Sequence, residues 1–300
     1  MTATGLLRFI VRTSLWLVAR TPILRRGDLT GVICDAVPVS VNLPGKLGFF
    51  ATPPTDPAKV NALLARLHPV TCTKKLVRLG PDGDGGYLVP DDLEGIVACF
   101  SPGVSTVAGF ELDCARLGMD VFLADASVDF PPENHPRFHF LKKFIGAATR
   151  ENFIAFSDWV QACATSERGE FLLQIDIEGY EYETFLSAPS SLLDRFRIVV
   201  VEFHFLDHLF CAPLFNLYAQ VFEKLLLTHT CVHIHPNNIA GTIKVGNIEL
   251  PQMAEFTFYR NDRVHQPAFA TTFPHPLDRD NADGAPLILS KSLYRSAAGS

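Results

Sequence analysis

Three carboxylates and two polar pairs mark where this chain can do chemistry. Asp176, Glu178 and Glu181 fall around Gly179, directly after the apolar run Phe171-Leu172-Leu173-Gln174-Ile175. Glu202 and His204 close a second apolar run, and His233 and His235 repeat the two-residue spacing on a third. Residues two apart on a strand share a face, so each pair shows both polar groups to one side. Such a set can take a proton from a hydroxyl, or it can hold a hard divalent cation through oxygen and imidazole ligands. Two versions stand. In one, Asp176, Glu202 and His204, with His235 as an addition, bind Mg²⁺ or Mn²⁺. In the other the site is metal-free: Asp176 contacts cofactor or substrate, and His204 is the base with His235 in reserve. Acids after a strand also serve simply as caps of the next helix, so the surrounding elements decide.

Those elements alternate. Strand-like runs occur at Ile96–Phe100, Val121–Ala124, Phe138–Phe144, Phe171–Ile175, Ile198–Phe203, Cys231–His235 and Glu255–Tyr259. Helical patterns lie among the first five at Thr106–Leu117, about Arg150–Ala164 and Tyr180–Arg195, and a longer one, Ala212–Leu227, follows the fifth strand. Strands alternating with helices predict an α/β fold with a parallel sheet. Pro236–Met253 shows no helix, so the last two strands are expected to pair antiparallel at one edge. Ahead of the sheet, Asp56-Pro57 opens a helix with Val60, Leu63, Leu64 and Leu67 on one face. Residues 25–55 read as an irregular lead-in.

The loop after the first strand narrows the ligand. Ser101-Pro102-Gly103-Val104-Ser105 is a tight turn into a helix, a place where backbone N–H groups meet an anionic or carboxylate-bearing ligand. The dinucleotide pattern G-x-G-x-x-G is missing, with only Gly103 and Gly109 present, which disfavours NAD. S-adenosylmethionine asks less, because only an amino-acid carboxylate and an adenosine must be held. Asp125, after the second strand, is placed to accept from ribose hydroxyls; its plain role would be a helix cap. Before the first strand, Gly80-Pro81-Asp82-Gly83-Asp84-Gly85-Gly86-Tyr87 does not follow the EF-hand ligand pattern. It reads as a β-turn between Leu76–Leu79 and Tyr87–Val89, or as a lid with Asp84 and Tyr87 as polar contacts.

Taken in order, Asp84-Gly85-Gly86-Tyr87, Phe100-Ser101-Pro102-Gly103, Phe110-Glu111, Asp125, Asp176-Ile177-Glu178-Gly179-Tyr180-Glu181 and Val200-Val201-Glu202-Phe203-His204 resemble the motifs of FkbM-type methyltransferases. Val232-His233-Ile234-His235-Pro236-Asn237-Asn238 and Ala254-Glu255-Phe256-Thr257 are similar to that family's closing strands. The resemblance spans Leu76–Arg260, and the first loop departs from it through Pro102. It implies a Rossmann-like class I methyltransferase fold: a seven-stranded, mostly parallel sheet with helices on both faces and an antiparallel edge strand. It also implies S-adenosylmethionine-dependent O-methylation, often of a sugar or glycan hydroxyl. Asp84, Gly85, Gly86, Tyr87, Ser101, Pro102, Gly103, Glu111, Asp125 and Asp176 are then the cofactor-binding set. Two other classes compete. A nucleotide-dependent oxidoreductase or nucleotide-sugar enzyme could use the same sheet but lacks its glycine fingerprint. A non-catalytic scaffold has no need of acids at several strand ends.

Composition sets the bounds. The 300 residues carry net charge −6 with 48% hydrophobic residues, which suits one large α/β domain with extensions and gives no reason to expect nucleic acid. Seven scattered cysteines without a Cys-x-x-Cys pair read as reduced thiols of a cytoplasmic protein. Residues 1–75 form an N-terminal arm and extension, 76–262 the sheet domain, and 263–300 a tail packing on it. Gly5–Leu24 is apolar but interrupted by Arg8, Arg12 and Arg20, too broken to span a bilayer. Residues 1–26 therefore either lie peripherally in a membrane interface as a basic amphipathic helix or pack on the domain or a second subunit.

Overall fold

The sheet positions everything else. In this computed structural model, which describes residues 37–43, 46–104, 106–164 and 169–295, seven strands hydrogen-bond into one sheet. They are β1 (Ile96–Pro102), β2 (Asp120–Ala124), β3 (Phe138–Leu141), β4 (Glu170–Ile175), β5 (Phe196–Phe203), β6 (His229–Pro236) and β7 (Ala254–Arg260). Their order across the sheet is β6-β7-β5-β4-β1-β2-β3. The pairs among β3, β2, β1, β4 and β5 are parallel, while β7 runs antiparallel to both β5 and β6. This mixed α/β architecture with a mostly parallel sheet agrees with the Rossmann-like expectation. One detail is corrected: the antiparallel strand lies one in from the edge. A helical crossover returns β6 parallel to β5 with a gap of one strand, and β7 enters that gap, since antiparallel neighbours need no crossover.

Alternation along the buried strands sorts their side chains into two cores. Phe100, Phe122, Leu173, Val199 and Val201 share one cluster; Cys99, Val121, Leu123, Leu172, Ile198 and Val200 share the other. The first also takes apolar residues of helices α1 (Pro57–Leu67), α3 (Phe156–Cys163), α4 (Glu181–Ser187), α5 (Ser190–Leu193) and α6 (Ala212–Thr228). The second takes Phe110, Cys114 and Ala115 of α2 (Gly109–Arg116). α1 forms as its sequence dictates: Asp56 accepts from the Ala58 N–H at 2.9 Å, and Val60, Leu63, Leu64 and Leu67 are buried.

Several boundaries move. The segment Tyr180–Arg195 is two helices, α4 and α5, because Ala188 precedes Pro189 and is held extended at ψ 132°, as the proline ring requires. The third strand ends at Leu141, and Phe144–Gly146 pairs instead with Phe153–Ala155, just ahead of α3. Pro236–Met253 contains a hairpin, Thr242–Val245 against Ile248–Pro251. The supposedly irregular lead-in holds another, Val37–Leu43 against Lys46–Thr52. The arm at residues 1–26 lies outside the described residues. Among those described, no helix is long and apolar enough to cross a membrane, and six cysteines are free thiols.

Candidate active site

The fourth strand delivers Asp176 to the carboxyl edge of the sheet, where α/β proteins bind ligands. Its position depends on Gly103. A Cβ on Gly103 would lie 1.6 Å from the Asp176 carbonyl oxygen, and Gly103 sits at φ +100°, a conformation natural only to glycine. The β1 loop therefore touches the end of β4 backbone to backbone. Gly103→Ala is expected to destabilise the fold by at least about 2 kcal/mol, from strain plus displacement of β4. Urea unfolding reads the effect, and an unchanged midpoint would refute the close approach.

Past Asp176 the chain turns through two left-handed residues, Glu178 (φ +58°) and Gly179 (φ +103°). A side chain on Gly179 would strike the Phe205 ring at 2.6 Å. Glu181 then opens α4 and reaches back. Its Oε1 accepts from the N–H groups of Ile177 at 2.9 Å and Gly179 at 3.2 Å, and lies 3.2 Å from His204 Nδ1. Glu181 is fully buried. One carboxylate thus shapes the turn and anchors the histidine.

His204 follows β5, and its Nε2 lies 3.8 Å from Asp176 Oδ1 and 3.6 Å from Glu178 Oε2. Neither distance is a hydrogen bond, so Asp176 Oδ1 and His204 Nε2 remain buried without partners. Burial alone would lower the His204 pKa. The hydrogen bond and charge of Glu181, with the charges of Asp176 and Glu202, outweigh it and raise the pKa to about 10. The raised pKa favours the imidazolium form of His204, which already holds its proton and does not accept another. Asp176 moves the other way in role. Burial, with the charges of Glu178 and Glu181 and against that of His204, raises its pKa to about 6. Glu202 is pushed well above the carboxylate range by burial and by Asp176 and Glu255, despite a 2.6 Å hydrogen bond from Asn237 Nδ2.

The metal set also changes. Among the described residues, Asp176, Glu181 and His204 each offer a donor atom within 4.8 Å of the others. Glu181 takes the place expected for Glu202, whose Oε1 is engaged by Asn237. His235 lies two strands away, beside Asp278 of the tail, and joins no such group.

The cofactor residues divide. Ser101 Oγ lies 2.6 Å from Gln174 Oε1 and also meets Glu111 Oε1. Burial raises the Glu111 pKa, and its hydrogen bond with Ser101 opposes that shift. Gln174 Nε2 donates to Tyr87 OH at 3.1 Å. Ser101, Glu111 and Tyr87 are thus sealed in a buried chain that fixes β1 to β4. Gly86 is structural as well, since a Cβ there would meet the Pro81 oxygen at 2.2 Å. Pro102 ends β1 and is buried. Asp84 is exposed at the loop tip beside Gly85 (φ +79°). Asp125 is buried past the end of β2 and accepts the Ser127 N–H at 2.6 Å. Acids at the ends of β2 and β4 suit both a ribose and a positively charged sulfonium. The donor set fits S-adenosylmethionine, which Asp84, Gly85, Asp125 and Asp176 would hold.

Three contributors escape sequence reasoning as site residues: Glu181, Glu255 and Asp278. Glu181 stood in the motif, but only the turn geometry shows that it carries His204. The other two depend on strand register and on a tail that folds back.

Residues 168–256 match the family model described as the Methyltransferase FkbM domain. The match covers β4, β5 and β6 and reaches into β7, with Asp176, Glu181, Glu202, His204 and His235 inside it; the β1 and β2 loops lie outside. Comparison with curated proteins returns no match. The FkbM domain supports a S-adenosylmethionine-dependent methyltransferase.

Proposed function

We propose that the protein O-methylates a hydroxyl of a sugar or glycan, with Asp176 as general base. The observation that carries this reading is the buried, unpartnered Asp176 Oδ1 beside the His204 imidazolium, at the strand end that the FkbM match covers. S-adenosylmethionine, when bound, supplies an electrophilic methyl group. A hydroxyl is a weak nucleophile near neutral pH and must lose its proton as it attacks. Asp176, with a pKa near 6, is mostly ionised at pH 7 yet basic enough to take that proton. His204 does not move a proton; its positive charge, held by Glu181, keeps Asp176 oriented and ionisable. Beside Asp176 the strand ends are polar, with Glu178 exposed next to it, which suits a hydroxyl-bearing acceptor. The domain match favours methyl transfer over the oxidoreductase, nucleotide-sugar and scaffold readings.

Labelled S-adenosylmethionine offered with free sugars, glycosides, glycolipids, catechols and short peptides tests the acceptor. Label in a sugar hydroxyl is expected; label confined to a peptide amide or a carboxylate ester would end the sugar reading. Metal dependence separates the two versions of the site. Binding of Mg²⁺ or Mn²⁺ by Asp176, Glu181 and His204 would require His204 to surrender a ring proton that Glu181 and Asp176 stabilise. Transfer is therefore expected to continue in excess chelator. Abolition by chelator and recovery with Mg²⁺ or Mn²⁺ would instead establish the metal.

A further inference from the structure

The turn that carries Asp176 continues into a row of aromatic rings. Tyr180, four residues on, is 40% exposed. Its backbone is fixed: its N–H donates to the Ile177 carbonyl at 3.3 Å, and Glu181 holds both Ile177 and Gly179. The Tyr180 ring leans on Phe153 with centroids 5.3 Å apart, and Phe153 leans on Phe144 at the same spacing. Phe153 and Phe144 are only half-buried, so all three rings keep contact with water beside the site. Single exposed apolar side chains are ordinary, whereas contiguous ones mark interaction sites.

A cation closes the row. The Arg150 guanidinium lies 5.3 Å over the Phe153 ring. The loop that presents it is tightly built. Arg150 and Phe153 exchange backbone hydrogen bonds of 3.1 and 2.6 Å, and Glu151 between them is left-handed at φ +39°, a costly conformation that persists only where its surroundings impose it. Thr149 Oγ1 donates to Asp158 at 2.6 Å and accepts the Ala155 N–H at 3.0 Å. Lys143 Nζ donates to the Glu151 carbonyl at 3.2 Å, which brings a second positive charge to the same turn. The acids of these elements are Glu151, Asp158 and Glu183 of α4. Among the described residues, neither Arg150 nor Lys143 forms an ion pair with a carboxylate.

The two ends of the row therefore differ in sign. Asp176, Glu178 and Glu181 outnumber His204 at one end and repel an anion there. Arg150 and Lys143 attract one at the other. A guanidinium meets a carboxylate or a phosphate with two parallel hydrogen bonds. The rings between offer apolar surface for the C–H face of a sugar.

We infer that Tyr180, Phe153 and Arg150 form an acceptor-binding arm, on which a sugar ring lies while Arg150, with Lys143 beside it, holds an anionic group of the same acceptor. This rests on the sugar O-methylation reading. The acceptor is then an acidic sugar or glycan, with its reacting hydroxyl at Asp176 and its carboxylate or phosphate at Arg150.

The test is label transfer from S-adenosylmethionine to methyl hexopyranosides, the matching methyl uronides and the matching hexose 6-phosphates. The wild-type protein is expected to prefer the acidic members in kcat/KM, and the uronide and phosphate arms show which anion it takes. Arg150→Gln should reduce that preference about ten- to hundredfold, mainly through KM, as loss of a charged hydrogen-bond partner predicts. Tyr180→Ala should raise KM for every sugar about three- to tenfold, with Tyr180→Phe recovering most of the loss. S-adenosylhomocysteine affinity should stay at the wild-type value in all three variants, which also shows that they are folded. A matching loss of S-adenosylhomocysteine affinity would assign the row to the cofactor and overturn the arm. An acidic preference that survives Arg150→Gln, or equal use of neutral and acidic sugars, would overturn it while sparing the sugar reading. No label in any sugar would overturn both.

Discussion

Asp176→Asn lowers methyl transfer by roughly 10²–10⁴-fold, the usual contribution of a positioned general base. The substitution keeps the size of the side chain and its place at the end of β4, so the fold survives and the lost quantity is proton acceptance. The pH profile distinguishes this role from a histidine base. With Asp176 as base, the acid limb of kcat/KM falls near its pKa of about 6. With His204 as base it would fall near 10, and the enzyme would be almost idle at neutral pH. S-adenosylhomocysteine affinity, measured alongside, separates any loss of cofactor binding at Asp176 from the loss of proton acceptance. Unchanged turnover in the Asn variant would remove Asp176 from the chemistry. An acid limb near 10 that vanishes on replacing His204 would restore the histidine.

How far the sequence could go is clear from these two residues. The apolar run ending at Asp176 announced both the strand and its functional edge, because burial on two faces leaves a plain hydrophobic signature. The alternation likewise announced the sheet. The role of His204 was not legible. An isolated imidazole titrates near neutrality and looks like a base; only the fold reveals that three carboxylates, from a turn, a helix start and a neighbouring strand, converge on it. Ser101, Glu111 and Tyr87 read as cofactor contacts from their motif positions; the fold adds that their polar atoms also bond one another through Gln174. Which way a side chain faces at a strand end is set by register and neighbours, and periodicity does not encode it. Helix boundaries failed where a local rule was overlooked, as at Pro189, whose ring stops α4 one residue earlier.

The largest effect on stability is expected at Glu181. Glu181→Gln keeps an oxygen to accept the Ile177 and Gly179 N–H groups but removes the charge that stabilises His204. Breaking a buried pair by neutralising one partner costs about 3–5 kcal/mol, a large part of a domain's total stability. The pH dependence gives a sharper reading. The folded-state pKa of His204 is raised from 6.5 to about 10. Its contribution is therefore fully present below pH 6.5 and is lost as pH rises through about 10, because the folded state holds a proton that the unfolded chain has released. Wild-type stability should decline between pH 7.5 and 9.5, at up to about 1.4 kcal/mol per unit. Asp176 and Glu255, raised to about 6 and about 7, lose their contributions below that window, while the raised Glu202 and His235 add a decline common to wild type and variant, so the difference between the two proteins is what reports His204. In Glu181→Gln the His204 pKa drops, so the protein is less stable at pH 7.5 but its decline to 9.5 is shallower. Urea midpoints at the two pH values measure both features. Equal slopes in wild type and variant would show that Glu181 does not hold the proton on His204, and the imidazolium at the centre of the site would have to be abandoned.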